Sequence, residues 1–306
     1  MTEPRLVPRV EPESSYYGRP ILKTPTWKQP DVPLYLFLGG VAGASSVLAE
    51  GAAATGRPAL QRAARFAAAG GSGLGSIALI HDLGRPERFL NMLRVFKPTS
   101  PLSVGSWILA PFASLASLAL ASDLSGVAPR VGRAAGVGAA ALGPPLATYT
   151  AALLCNTAIP AWHEGYREMP FLFAGSGSAA AGGLAMIATP VDQAGPARRM
   201  AVLGAAVELV ASERIQRRLG MLAEPYQQGR PGLFMRTARA LTIGGVAGSL
   251  VGSRSRGVSV VAGCAYAAGS VLTRFGVFQA GLASAKDPKY VVVPQRERMR
   301  ARTLAG

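Results

Sequence analysis

Three long stretches without a charged residue constrain this chain more than any other feature. Residues 99–122, 134–163 and 169–191 contain no Asp, Glu, Lys or Arg. A helix that crosses a bilayer needs about 20 consecutive apolar residues, whereas a helix of a water-soluble domain keeps a polar face. The whole chain is 16% charged, against about 25% in typical soluble domains. The sequence therefore predicts an all-α integral membrane protein.

Breaking the chain at clusters of charges and prolines gives eight candidate transmembrane helices. They lie near 32–53, 63–83, 102–122, 134–158, 168–189, 200–222, 238–253 and 257–281. The sixth is the weakest because Glu208, Glu213 and Arg214 interrupt it, and the seventh is short. We therefore predict a Pro-rich basic tail over 1–31, an eight-helix transmembrane domain over 32–283 and a basic C-terminal tail over 284–306.

Glycine spacing and one repeated segment describe how these helices pack. Small residues four apart allow membrane helices to approach closely, and they recur at Gly39/Gly43, Gly71/Gly75, Gly132/Gly136 and Gly244/Gly248/Gly252. The segment Pro33-Leu-Tyr-Leu-Phe-Leu-Gly39 opens the first span, and Pro170-Phe-Leu-Phe-Ala-Gly175 opens the fifth. The repeat predicts two four-helix bundles in parallel orientation.

The positive charge of the chain fits a membrane topology better than a nucleic-acid-binding surface. The net charge is +16, but Lys and Arg cluster between the apolar stretches rather than on one face of a domain. More of them flank the side that carries both termini. The positive-inside rule then predicts a multi-pass protein of the cell membrane with cytoplasmic termini, and no nucleic-acid partner.

The chain offers few ligands for a redox cofactor or a metal. Its only cysteines are Cys155 and Cys264, and its only histidines are His81 and His163. Two cysteines cannot supply a four-thiolate iron–sulfur cluster or a zinc site. A two-haem cytochrome needs more axial histidines than this chain has. We expect no metal, no haem and no iron–sulfur cluster in this chain.

A group of polar side chains gathers at the membrane end that carries the termini. The candidate site residues are Tyr35, His81, Asp82, Tyr149, Asn156 and His163. Ionisable residues at membrane depth are costly and indicate a ligand site or a pathway. Structural roles stay open for each: a tyrosine anchors a helix at the interface, Asp82 forms an ion pair with Arg85, and His163 is solvated in a loop.

Two segments of the chain are specific sequence motifs, His81-Asp-Leu-Gly-Arg-Pro-Glu-Arg-Phe89 and Ser100-Pro-Leu-Ser-Val-Gly-Ser-Trp107. They resemble signatures of the NrfD/PsrC family, the polysulfide-reductase-type membrane subunits. Three others follow the same order along the chain: Tyr35-Leu-Phe-Leu-Gly-Gly-Val-Ala-Gly-Ala44, Tyr149-Thr-Ala-Ala-Leu-Leu-Cys-Asn156 and Arg274-Phe-Gly-Val-Phe-Gln-Ala-Gly281. The resemblance runs from about residue 16 to residue 298.

The resemblance implies a haem-free membrane subunit that exchanges electrons between menaquinone or ubiquinone and a separate ferredoxin-like iron–sulfur protein. That partner usually serves a molybdopterin catalytic subunit, and formate dehydrogenase is one example of such an enzyme. The family's quinone-lining tyrosine on helix four matches Tyr149, and the acidic residue of its helix-two motif matches Asp82. Tyr35 stands where some members have a histidine, which departs from the pattern.

The side chains of the candidate residues are compatible with quinone chemistry independently of the family resemblance. A quinone carbonyl accepts a hydrogen bond from a phenol or an imidazole, so Tyr149, Tyr35 and Asn156 are candidate quinone ligands. Two-electron reduction also takes up two protons, for which Asp82, His81 and His163 are candidate relay groups.

Two other functions stay open. One is a transporter or proton-translocating bundle, in which Glu50, Glu208, Arg214 and Arg274 form the relay. The other is a structural anchor without quinone chemistry. A quinone site requires ionisable groups concentrated at one membrane end beside an apolar groove, whereas a relay distributes them across the bilayer.

Overall fold

The fold is built from eight long helices joined by short helices and loops. The computed structural model describes residues 21–23, 25–85, 87–251 and 255–305, and these ranges contain helices and no strand. The long helices are α1 (Asp31–Ala54), α2 (Pro58–Asp82), α4 (Pro101–Ser125), α5 (Pro129–Cys155), α7 (Met169–Ala188), α8 (Gly195–Leu219), α10 (Gly229–Val251) and α11 (Arg256–Lys286). Between and after them lie α3 (Arg88–Asn91), α6 (Pro160–His163), a 3-10 helix (Gly220–Ala223), α9 (Glu224–Gln227) and α12 (Lys289–Ala305).

Six of the long helices are apolar and long enough to cross a membrane, as judged by length and composition over the described residues. They are α1, α2, α4, α5, α7 and α11. The other two, α8 and α10, overlap the sixth and seventh predicted spans. Charged residues make these two helices less apolar than the other six. Arg198, Arg214 and Arg218 lie in α8, and Arg236 and Arg239 lie in the first half of α10.

The long helices run alternately up and down, so their ends form two layers. The proximal end is the one where α1 begins and α11 ends. There, the Gln279 amide donates to the Gln29 side-chain oxygen at 3.2 Å, and Trp27 stacks on Trp162 with ring centroids 5.7 Å apart. The distal end carries the α1–α2 turn and Asp123 of α4. Most of the predicted N-terminal tail, residues 1–20, lies outside the described residues.

Helix α1 lies at the centre of the bundle and packs against α2, α5, α7 and α11. Glycine makes two of these contacts possible. A methyl group at Gly43 would overlap the Gly143 carbonyl oxygen of α5, and one at Gly177 of α7 would overlap the backbone of Gly40. Membrane helices gain van der Waals contact in this way.

The predicted glycine pairs do not all serve helix packing. Gly43, Gly71, Gly136 and Gly248 face neighbouring helices or their side chains, whereas Gly244 faces open space. Gly252 lies outside the described residues. A glycine pattern alone therefore overstates the number of packed positions.

Apolar side chains cover much of the outer surface. Leu74 and Ile77 of α2, Val137 of α5 and Leu203 of α8 are more than half exposed. A water-soluble protein rarely exposes such large apolar side chains on neighbouring helices. This surface is suited to lipid.

The C-terminal segment predicted as a basic tail contains α12, which is tied to the proximal end. Glu224 accepts from Lys289 at 2.9 Å and from the Tyr290 hydroxyl at 3.1 Å. The Lys289 ammonium, and then the Tyr290 hydroxyl, lower the pKa of Glu224, and the carboxylate in turn raises the pKa of Lys289. Arg298 also reaches Glu164 at 2.5 Å. These contacts present a basic helix at the proximal surface.

Candidate functional site

Two buried tyrosines form the apolar part of the site near the proximal end. The rings of Tyr35 on α1 and Tyr149 on α5 meet edge to face, with centroids 6.4 Å apart and planes at 68°. The Tyr149 ring occupies the space beside Gly105 of α4, where any side chain would overlap it. Gly75 of α2 lies beside Tyr35, where an added methyl group would make only ordinary van der Waals contact, at 3.7 Å. Four helices thus enclose the tyrosine pair.

The hydroxyl of Tyr149 is buried and has no hydrogen-bond partner among the described residues. A buried polar group left unpaired costs about 1–3 kcal/mol, so native structures satisfy nearly all of them. Tyr149 is only 7% exposed, which rules out bulk water as a simple partner. The hydroxyl is therefore free to donate to an acceptor that is not among the residues that the structure describes.

Four polar residues form what we call the proximal cluster, namely Lys28, Asp31, His81 and Asp82. The His81 Nδ1 atom lies 2.7 Å from Asp31 Oδ2. Asp82 accepts from the backbone N–H of Lys28 at 2.8 Å, and the Lys28 ammonium donates to the His81 carbonyl at 3.2 Å. Helices α1 and α2 are thus joined where both reach the membrane surface.

The proximal cluster leads from water towards the tyrosine pair. The His81 side chain is 72% exposed and the Asp31 side chain only 15%. Asp31 precedes Tyr35 by four residues on α1, so the two lie on one helix face. Asp31 was not among the predicted site residues, although an acidic residue one turn before a candidate tyrosine was a usable signal. Asp82 was expected either in the site or paired with Arg85, and its partner is the Lys28 backbone.

Two predicted site residues lie at the proximal end without a described contact to the tyrosine pair. Asn156 is the exposed residue after α5, and its backbone N–H donates to the Ala152 carbonyl at 2.9 Å. His163 is exposed, with its Nδ1 atom 3.0 Å from the Cys155 carbonyl oxygen. Tyr149 and Asn156 are therefore near in sequence but differ in burial.

An arginine and a glutamate lie in the interior of the bundle. Arg274 of α11 is fully buried, stacks on the Phe173 ring at 3.9 Å and donates to the carbonyls of Phe173 at 2.8 Å and Leu36 at 3.3 Å. Glu208 of α8 is 4% exposed and accepts from the Thr273 hydroxyl at 2.7 Å. One atom of each charged group, Arg274 Nη1 and Glu208 Oε2, has no partner among the described residues.

The other two residues considered for a proton relay, Glu50 and Arg214, lie away from the bundle interior. Glu50 pairs with Arg65 at the distal end, at 2.8 Å. Arg214 is exposed on α8 and faces a groove beside α7. The four residues considered for a relay are therefore distributed over the interior, the distal end and the outer surface.

The fold and this site define a multi-pass membrane protein with a polar cluster and a buried tyrosine pair at one membrane end. A comparison with known protein families identifies the family of the chain. A family model described as polysulphide reductase, NrfD, matches residues 24–209, more than half of the chain. The chain therefore belongs to the NrfD family, as its motifs had predicted. No curated protein matches the chain.

Proposed function

We propose that this protein is the quinone-binding membrane subunit of an oxidoreductase complex, with the quinone at the Tyr35–Tyr149 pair. The buried hydroxyl of Tyr149 carries this proposal, because it has no partner among the described residues and a quinone carbonyl accepts a hydrogen bond. Membership of the NrfD family supports it, since that family is generally linked to quinone-interacting complexes. Menaquinone and ubiquinone both present suitable carbonyls.

The residues of this chain would hold the ring and move protons. Tyr149 donates to a carbonyl oxygen, and Tyr35 supplies an apolar wall and orients the Tyr149 ring. Asp31 and His81 form a short path to water, and Asp82 holds the beginning of α1 through Lys28. Asn156 and His163 are further candidates at the same end. When bound, the quinone supplies two-electron, two-proton chemistry.

Electrons have to come from a partner, because two cysteines and two histidines are too few for a cluster or a pair of haems. A ferredoxin-like iron–sulfur subunit is the partner class that the family supports. We place its docking surface at the proximal end, where the 84–97 loop and α12 are basic. A molybdopterin catalytic subunit, such as that of a formate dehydrogenase, would complete the complex.

We further propose that all eight long helices cross the membrane as two four-helix halves, with cytoplasmic termini. The hydrogen bonds of Arg274 are the evidence for a division into two halves. It donates to the carbonyl of Leu36, three residues after Pro33, and to that of Phe173, three residues after Pro170. These are equivalent positions of the repeated segment, so one arginine contacts both halves alike.

A second candidate function is proton translocation through the bundle. The unpartnered atoms of Glu208 and Arg274 favour it, since buried ionisable groups at membrane depth are typical of proton paths. Such a path would add to quinone chemistry rather than replace it.

Quinone binding to the purified full-length chain tests the principal proposal. Titration with decylubiquinone and with a menaquinone analogue, followed by tryptophan fluorescence, gives a Kd. Tyr149→Phe removes one donor and almost no volume, so the Kd should rise about fivefold, the worth of one neutral hydrogen bond. Thermal unfolding of the variant should match that of the parent.

Tyr266→Phe is the matched control. Tyr266 is equally buried, but its hydroxyl is already paired with Ser249 at 3.2 Å, far along α11 from the tyrosine pair. Its loss should leave the Kd unchanged. Equal affinities for the parent and for Tyr149→Phe would remove Tyr149 from the site, and absence of quinone binding would favour a structural anchor.

A further inference from the structure

An outward-facing groove follows the seam between α7 and α8. It has a volume of about 510 Å³, and its lining includes Arg167, Phe171, Val207, Val210 and Arg214. At Val207 it meets a second cleft of about 470 Å³, which extends to Val47, Met200 and Leu203. We call the two together the seam groove.

The close approach of α7 and α8 shapes the seam groove. A methyl group at Gly175 would come too near the backbone of Gly204 and Glu208, so the two helices pack closely where these glycines line the groove. Larger side chains stand at the rim, where Phe171 is 63% and Val210 53% exposed. Along α8, from Arg214 to Leu203, the groove is about 16.5 Å long at 1.5 Å per residue. One leaflet of a bilayer's hydrocarbon core is about 15 Å thick.

The proximal mouth of the seam groove carries surplus positive charge. Glu168 also lines it, but Arg218 neutralises this carboxylate with two hydrogen bonds of 2.7 and 2.6 Å. Arg167 donates to the Tyr166 hydroxyl at 3.0 Å and pairs with no carboxylate in the described ranges. Arg214 has no ion pair or hydrogen bond within those ranges.

We propose that the seam groove binds an anionic glycerophospholipid. Arg167 and Arg214 would hold the phosphate diester, because guanidinium groups bind phosphate through paired, charge-assisted hydrogen bonds. One acyl chain would lie along Phe171, Val207 and Leu203. Basic pockets between membrane helices select anionic headgroups in this manner. The site is separate from the tyrosine pair and does not depend on the proposed quinone chemistry.

Native mass spectrometry of the full-length chain tests this site. The chain is titrated with phosphatidylglycerol and with phosphatidylcholine of identical acyl chains. We expect phosphatidylglycerol to bind about tenfold more tightly. The double variant Arg167→Ala/Arg214→Ala should weaken phosphatidylglycerol binding by about 10- to 30-fold and leave phosphatidylcholine binding unchanged.

The control is Arg94→Ala/Arg230→Ala, which removes two exposed cations of the same membrane end outside the groove. It should keep phosphatidylglycerol affinity within twofold.

A second variant blocks the groove itself. Val207→Trp, which fills the middle of the groove, should weaken the binding of both lipids. Equal binding of the two lipids to the parent, or equal losses in the two arginine pairs, would overturn the proposal. Displacement of phosphatidylglycerol by decylubiquinone would assign the groove to quinone instead. Should the double alanine variant not fold, Arg214→Gln alone gives the same comparison.

Discussion

Helices α1 and α2 are joined at each end by a contact between ionisable side chains, and the two contacts differ in burial and in the number of helices that they join. At the proximal end, Asp31 meets His81, whose side chain is 72% exposed. At the distal end, Glu50 meets Arg65, whose side chain is 5% exposed. Arg65 also reaches Asp123 of α4 at 2.6 Å. One contact is open to water, and the other is closed and shared among three helices.

The difference in burial predicts different roles for the two contacts. A buried cation between two carboxylates is expensive to disturb, because each remaining charge stays desolvated. An exposed pair contributes little to stability, because water replaces the lost partner. The proximal contact can therefore be removed without loosening the bundle, whereas the distal contact holds three helices together. Substitutions at the two ends should separate stability from turnover.

Breaking the distal contact should give the largest effect. Arg65→Met leaves Glu50 and Asp123 without their cation, and we expect a loss of about 3–5 kcal/mol in the free energy of unfolding. Denaturant titration in detergent measures this quantity. Arg62→Met, on an exposed position of the same helix, should change it by less than about 0.5 kcal/mol.

A charge-free distal end provides the second half of that test. In the triple variant Arg65→Met/Glu50→Gln/Asp123→Asn, no buried charge remains unpaired, so much of the lost stability should return. If Arg65→Met were as stable as the parent, the distal end would be no more structural than the proximal one.

The region between the two ends should give an intermediate effect. Gly43→Ala forces a methyl group against the Gly143 carbonyl, which should cost about 1–3 kcal/mol of stability through strain between α1 and α5. Gly51→Ala, two turns along α1, meets no atom within 4 Å and should stabilise slightly, because alanine favours the helix. Parallel denaturant titrations compare the two, and equal effects would contradict the packing assigned to Gly43.

The smallest effect on stability is expected at the proximal end. His81→Gln removes an exposed pair and should change the free energy of unfolding by less than about 0.5 kcal/mol. Quinone-linked turnover of the assembled complex should nevertheless slow several-fold, because the path from Asp31 to water loses its titratable imidazole. Unaltered turnover would mean that His81 takes no part in proton transfer. A stability loss near that of Arg65→Met would remove the distinction between the two ends.

Periodicity and composition predicted the helices because these properties are local. The charge-free stretches led directly to α4, α5 and α7, and the eight predicted ranges correspond to the eight long helices. The motifs predicted the NrfD family, and the family comparison confirms it. The crossing of all eight helices stays a prediction, because charges in α8 and α10 reduce their apolar character.

The hydrogen-bond and ion-pair partners of the site residues could not be predicted from the sequence in the same way. Asp82 binds the Lys28 backbone rather than Arg85, although Arg85 is its near neighbour in sequence. Glu208 and Arg214 lie on one helix but point to different surroundings, the bundle interior and the outer groove. Such choices depend on which helices meet and at what rotation, and a helix sequence specifies a face without specifying what covers it.

The sequence by itself determined the apolar stretches that become membrane-crossing candidates, among them α4, α5 and α7, and the motifs that identify the NrfD family. Only the tertiary structure decided that Asp31 joins His81, that the Tyr149 hydroxyl is buried without a partner in the described part of the chain, and that Arg274 contacts the carbonyls of both Leu36 and Phe173. The physical reason is one of range. Hydropathy and backbone propensity act within a few residues, whereas hydrogen bonds between helices join residues up to 238 positions apart.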